Sequence, residues 1–121
     1  MEFAYWIVAG LTAALFLFTG VFKLALSKDS LRDKGMEWTV DFTPNGVRGI
    51  GIAEVLGAAG LILPPVTGIA PWLAPVAGLG LAIIMGGAIR AHRKRGGSIV
   101  PNIVFGLLAL TAAALGFVVW I

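Results

Sequence analysis

The residue best placed to do chemistry in this chain is an acid in the middle of an apolar segment. Glu54 stands among Gly51, Ile52, Ala53, Val55 and Leu56. A carboxylate in such surroundings is costly unless it is paired, hydrated or protonated, and it faces the interior of a bundle. Two roles follow: a hydrogen-bonding acid that fixes how helices meet, or a carrier of protons. Arg48 is a poor partner within the same helix, because six residues place Glu54 about 120° round from it. Lys23 is the better partner. It comes from another segment and shares a helical face with Thr12 and Thr19, at spacings of seven and four. The competing reading of Lys23 is a side chain that snorkels to the headgroups. His92 and Asn102 lie near the ends of two further apolar segments. Lys23, Arg48, Glu54, His92 and Asn102 are therefore the candidates to line one polar cavity. The plainer reading of His92 is an interfacial hydrogen-bond donor.

Composition excludes several chemistries. The chain has no cysteine and one histidine. Disulfides, thiolate nucleophiles, iron–sulfur ligation and covalently attached c-type haem are ruled out. So is a bis-histidine haem or a His-rich zinc site within one chain, and no metal site is expected. There is no phosphate-binding glycine loop, no acid pair and no Ser–His–Asp set. A quinone or a lipid held without a covalent bond stays open as ligand.

The elements that position these residues follow from hydropathy. Hydrophobic residues make up 59% of the 121 and charged residues 12%. Soluble domains run about 45–50% and about 25%. Lipid is the solvent that accepts such a surface, and a helix needs about 20 residues to cross it. The expected fold is all-α: a polytopic membrane protein with a four-helix transmembrane bundle, forming one domain over 1–121. The spans are expected at about 3–26, 44–63, 71–91 and 99–121. Thr43 and Pro44 read as N-cap and first turn of the second span. Val55 to Ile89 is one uncharged run. As a single helix it would be about 52 Å long, so Pro64 and Pro65 are expected to end the second span. Ser98 is the expected cap of the fourth, with Pro101 in its first turn. Residues 27–43 are expected to form a short amphipathic segment, in which Met36, Trp38, Val40 and Phe42 alternate with polar residues. It lies in the headgroups, or Trp38 and Phe42 form a lid over the polar cavity.

Charge gives the orientation. Four crossings put all nine Lys and Arg on one face of the membrane. Positive charge is retained on the cytoplasmic side, so the basic loops are expected inside and both termini outside. Trp6, Trp72 and Trp120 fall at the opposite ends of their spans, as an interfacial belt does. The first segment reads as a retained span, because Phe3 to Phe22 is longer than a signal core of about 7–15 residues. The net charge of +3 flanks apolar spans and faces lipid, which argues against nucleic acid as a partner. Small residues recur every four positions at Ala74, Gly78, Ala82 and Gly86, and at Gly49, Ala53 and Gly57. Such stripes let helices approach closely. They serve packing within one chain, or a homo-oligomer.

Two motifs carry a family resemblance. One is Thr19-Gly20-Val21-Phe22-Lys23-Leu24. The other runs from Gly49 through Glu54 and Gly57 to Leu63-Pro64. With Leu73–Gly78, Met85–Ala88 and His92, they make nearly the whole chain similar to the DoxX-like family of small membrane proteins. The resemblance implies four transmembrane helices and a bacterial inner membrane. It implies a diffuse range of functions: quinone-linked sulfur oxidation, redox-stress complexes, and chaperoning of membrane proteins. Lys23, Glu54 and His92 match the family's recurring polar positions, to which no agreed catalytic role attaches.

Three functions compete. The first is a small membrane subunit, scaffold or chaperone that binds a membrane-protein partner or lipid. The second is a redox subunit or enzyme that handles a quinone or other lipophile, with Glu54 as proton carrier. The third is a small proton-coupled exporter. Small multidrug transporters carry their acid in the first helix, however, and their dual topology needs a weak charge bias.

Overall fold

A computed structural model describes residues 1–25, 44–94 and 99–121. It contains four helices: α1 (Glu2–Ala25), α2 (Pro44–Thr67), α3 (Leu73–Lys94) and α4 (Val100–Trp120). No strand occurs among the described residues. All four helices are long and apolar enough to cross a membrane. Between 22% and 33% of each helix's apolar window is buried inside the bundle. Phe3, Phe18, Leu56, Ile83 and Val118 are among the large side chains left on the outside. Such a surface needs lipid around it, and helices satisfy their own backbone polar groups there. The protein is a multi-pass four-helix membrane bundle.

Each helix packs against two others, in the cyclic order α1, α2, α3, α4. Neighbours run antiparallel. Phe16 of α1 meets Phe105 of α4 at 5.6 Å, while Tyr5 and Trp6 at the start of α1 meet Trp120 at the end of α4. The Tyr5, Trp6 and Trp120 rings stand edge to face, with centroids 5.4–5.9 Å apart, a favoured aromatic geometry. Tyr5, Phe16, Leu61 and Leu81 fill the core between small residues such as Ala9, Ala109 and Ala112.

Pro64 and Pro65 do not end α2, which continues through both to Thr67. A proline in a helix interior has no N–H for the carbonyl four residues earlier. Pro65 thus leaves the Leu61 carbonyl without its helical donor. The Tyr5 hydroxyl of α1 donates to that carbonyl at 2.6 Å, and both residues are fully buried. A neighbouring helix replaces the lost bond, as membrane helices with internal proline require. The true stop is Gly68, whose φ of 74° is left-handed. Its amide donates to the Pro64 carbonyl at 2.9 Å, which closes the last turn.

Two other boundaries shift. α3 runs on to Lys94, past the expected end at 91, so Arg93 and Lys94 are helical. At α4 the N-cap is Ile99, without a side-chain cap, and not Ser98, which lies outside the described residues. Pro101 lacks an N–H, so that helix start has one fewer donor to satisfy.

The small-residue stripes serve neighbours within the chain, but only in part. A Cβ on Gly78 would lie 3.0 Å from the Cβ of Ala113 in α4, and one on Gly57 2.5 Å from Leu81 in α3. Gly49 and Gly86 face open space instead.

Candidate functional site

The site forms where α1 and α2 come closest. A Cβ on Gly20 would sit 2.9 Å from the Gly51 carbonyl oxygen, and one on Gly51 2.8 Å from that of Gly20. Only glycine at both positions lets the two backbones touch in this way. That approach carries Lys23, one turn beyond Gly20, up to Glu54, one turn beyond Gly51.

Lys23 Nζ lies 2.5 Å from Glu54 Oε1. Thr19 Oγ1 donates to Glu54 Oε2 at 3.0 Å. The Thr19 hydroxyl also lies 3.3 Å from the Phe16 carbonyl. It has one proton, and the carboxylate is the stronger acceptor. Both carboxylate oxygens are thus engaged. Glu54 is 0% exposed and Lys23 6%. Two opposite charges withdrawn from solvent this far offset one another, and removal of either strands the other in a poor solvent for charge.

The other candidates stand apart. Thr12 is buried on the same face as Lys23, but its hydroxyl donates to the Val8 carbonyl of its own helix at 2.7 Å. Arg48 is exposed. Neither Arg48 nor Asn102 is among the partners of Glu54. Asn102 is half-buried on α4, and its Nδ2 is a buried donor without an acceptor among the described residues. Trp38, Phe42 and the side chain of His92 lie outside the described residues. Among those described, no group of three His, Cys, Asp or Glu is arranged to hold a metal ion.

Two features escape reasoning from sequence. The Gly20–Gly51 contact shows there only as glycines near Lys23 and Glu54, while the regular spacing picks out Gly49, Ala53 and Gly57. The Tyr5–Leu61 bond has a usable signal, since Pro65 lies four residues after Leu61 and must free its carbonyl.

This arrangement fits two chemical tasks. It locks α1 to α2 through an ion pair with a third hydrogen-bonding partner. It also holds a protonatable group within the membrane, which becomes a proton carrier only if the lysine releases it. No curated protein and no solved structure matches the chain. The family model for the DoxX-like family matches residues 7–119, nearly its whole length. The chain belongs to the DoxX-like family.

Proposed function

We propose that the protein is a non-catalytic membrane subunit, scaffold or chaperone, which engages a membrane-protein partner or lipid through its outer surface. The supporting observation is the state of Glu54. It is enclosed, and both its oxygens are engaged by Lys23 and Thr19. A proton carrier must exchange with solvent or substrate. A carboxylate in this setting serves better as a bolt between helices. The outer surface, by contrast, is broad and apolar. The setting that suits the charge distribution is the bacterial inner membrane, with the basic end cytoplasmic and both termini outside.

Purification in mild detergent, followed by mass spectrometry of lipids, quinones and co-purified proteins, tests this reading. The expected result is a partner protein or lipid retained by wild type and by any Glu54→Gln that remains folded. One quinone per chain, lost in a folded Glu54→Gln protein, would move the protein to the redox reading.

A further inference from the structure

An open apolar groove of about 480 Å³ runs between α2 and α3 on the outer surface. Ala53, Gly57 and Gly60 of α2 and Ala77, Gly80 and Ile84 of α3 form much of it. Sites for small apolar ligands span about 300–1,000 Å³. At Gly57 and Gly60 the two helices are in contact, since a Cβ there would meet Leu81 and Ala77, and the groove opens at Gly80, where a Cβ would meet nothing within 4 Å.

The α3 wall leads from this groove to a cation. Gly80, Ile84, Gly87, Ala91 and Lys94 are spaced by four, three, four and three, which keeps them on one helical face. Gly87 and Lys94 are exposed, as is Arg90 one turn before Lys94. Ile84 to Lys94 is about 15 Å along the axis, half of a hydrocarbon core of about 30 Å. A chain whose headgroup sits at Lys94 therefore reaches Ile84 within one leaflet, and its last methylenes reach Gly80, about 21 Å from Lys94 along the axis.

Charge then selects the occupant. Among the described residues the exposed Lys and Arg are Arg48, Arg90, Arg93 and Lys94, all on the two helices that wall the groove. On α1 Lys23 is buried, and α4 has no basic residue. A second copy packed two-fold on this groove would bring its own Arg90 and Lys94 toward the same charges. An anionic headgroup meets them favourably.

We propose that the α2–α3 groove binds an anionic glycerophospholipid, with an acyl chain along Gly80 and Ile84 and the phosphate at Lys94 and Arg90. This deepens the binding reading above, on which it rests, by naming the ligand. The test is native mass spectrometry of the detergent-purified chain with equal phosphatidylglycerol and phosphatidylethanolamine of matched chains. Wild type should retain the anionic lipid preferentially. Lys94→Gln should lower that preference about fivefold, the factor set by one basic residue near the surface. Gly80→Phe, whose Cβ meets nothing within 4 Å, puts a ring into the groove and should lose most of the retained lipid. Gly10→Phe, on an exposed face of α1 with equal room, should behave as wild type. Equal retention of both lipids, undiminished retention in Gly80→Phe, or equal loss in Gly10→Phe would overturn the proposal. So would a dimer that Gly80→Phe abolishes, which would give the groove to a second copy. Redox activity that depends on Glu54 would remove the scaffold reading and leave this lipid preference unchanged, so the two fail separately.

Discussion

Tyr5→Phe removes one hydroxyl and leaves one carbonyl without a donor. The ring keeps its place against Trp6 and Trp120, so packing changes little. What changes is the Leu61 carbonyl, which Pro65 has already deprived of its helical donor and which accepts from Tyr5 at 2.6 Å. A buried acceptor left unsatisfied costs about 1–3 kcal/mol. Interhelical hydrogen bonds in membrane proteins average about 0.6 and reach about 1.7 kcal/mol. Full burial of both partners and the loss of the i+4 helical donor to Pro65 place this bond at the upper end, at roughly 1–2 kcal/mol. Pro65→Ala supplies the test. The alanine brings back an N–H directed at the Leu61 carbonyl. In that background Tyr5→Phe should cost less than about 0.5 kcal/mol, because the carbonyl then has a donor within its own helix. The assay is reversible unfolding of the four proteins in mixed micelles, followed by circular dichroism. If Tyr5→Phe costs the same with proline or alanine at position 65, the hydroxyl does not compensate for the proline, and this account of α2 is wrong.

Other substitutions probe the packing and the topology. Gly51→Ala drives a Cβ against the Gly20 backbone and should cost about 1–3 kcal/mol, whereas Gly49→Ala, which meets open space, should be close to neutral in the same unfolding assay. Gly78→Leu should lower the melting temperature of the monomer, because α4 occupies that space, while Gly86→Leu should leave it unchanged; loss of a crosslinked dimer with an unchanged melt would assign Gly78 to a contact between copies. Single cysteines at Thr67 and Arg93 should label with an impermeant reagent from opposite sides of the membrane, Thr67 from outside; labelling from one side would remove the proposed topology.

Much of the fold was legible because the bilayer imposes it. The lengths of the apolar runs and the placement of Lys and Arg mark four crossings, and α1 to α4 fall within a few residues of the expected spans. The partnership of Lys23 with Glu54 was legible too, since an acid this deep needs a base from another helix and Lys23 shares its face with Thr19. What remained hidden depends on three-dimensional neighbours. Pro64 and Pro65 read as a helix stop because their effect on α2 depends on Tyr5, 56 residues from Leu61. Gly51 rather than Gly49 meets α1 because the rotation of α2 about its axis is fixed by partners, and glycines at either register look alike in sequence. Arg48, a candidate to line the same polar cavity, is turned outward by the helix. Asn102 buries a donor that finds no acceptor among the described residues, which no spacing rule reveals.

Glu54 and Lys23 hold α1 and α2 together. A double-mutant cycle with Glu54→Gln and Lys23→Met, read by unfolding in mixed micelles, tests it most directly. Breaking a buried pair from one side costs about 3–5 kcal/mol, because a charge is left without its partner, whereas removing both charges costs far less. Each single variant should lose stability on that scale, and the double variant should recover much of it. Single variants as stable as wild type, with no coupling between the two positions, would contradict it.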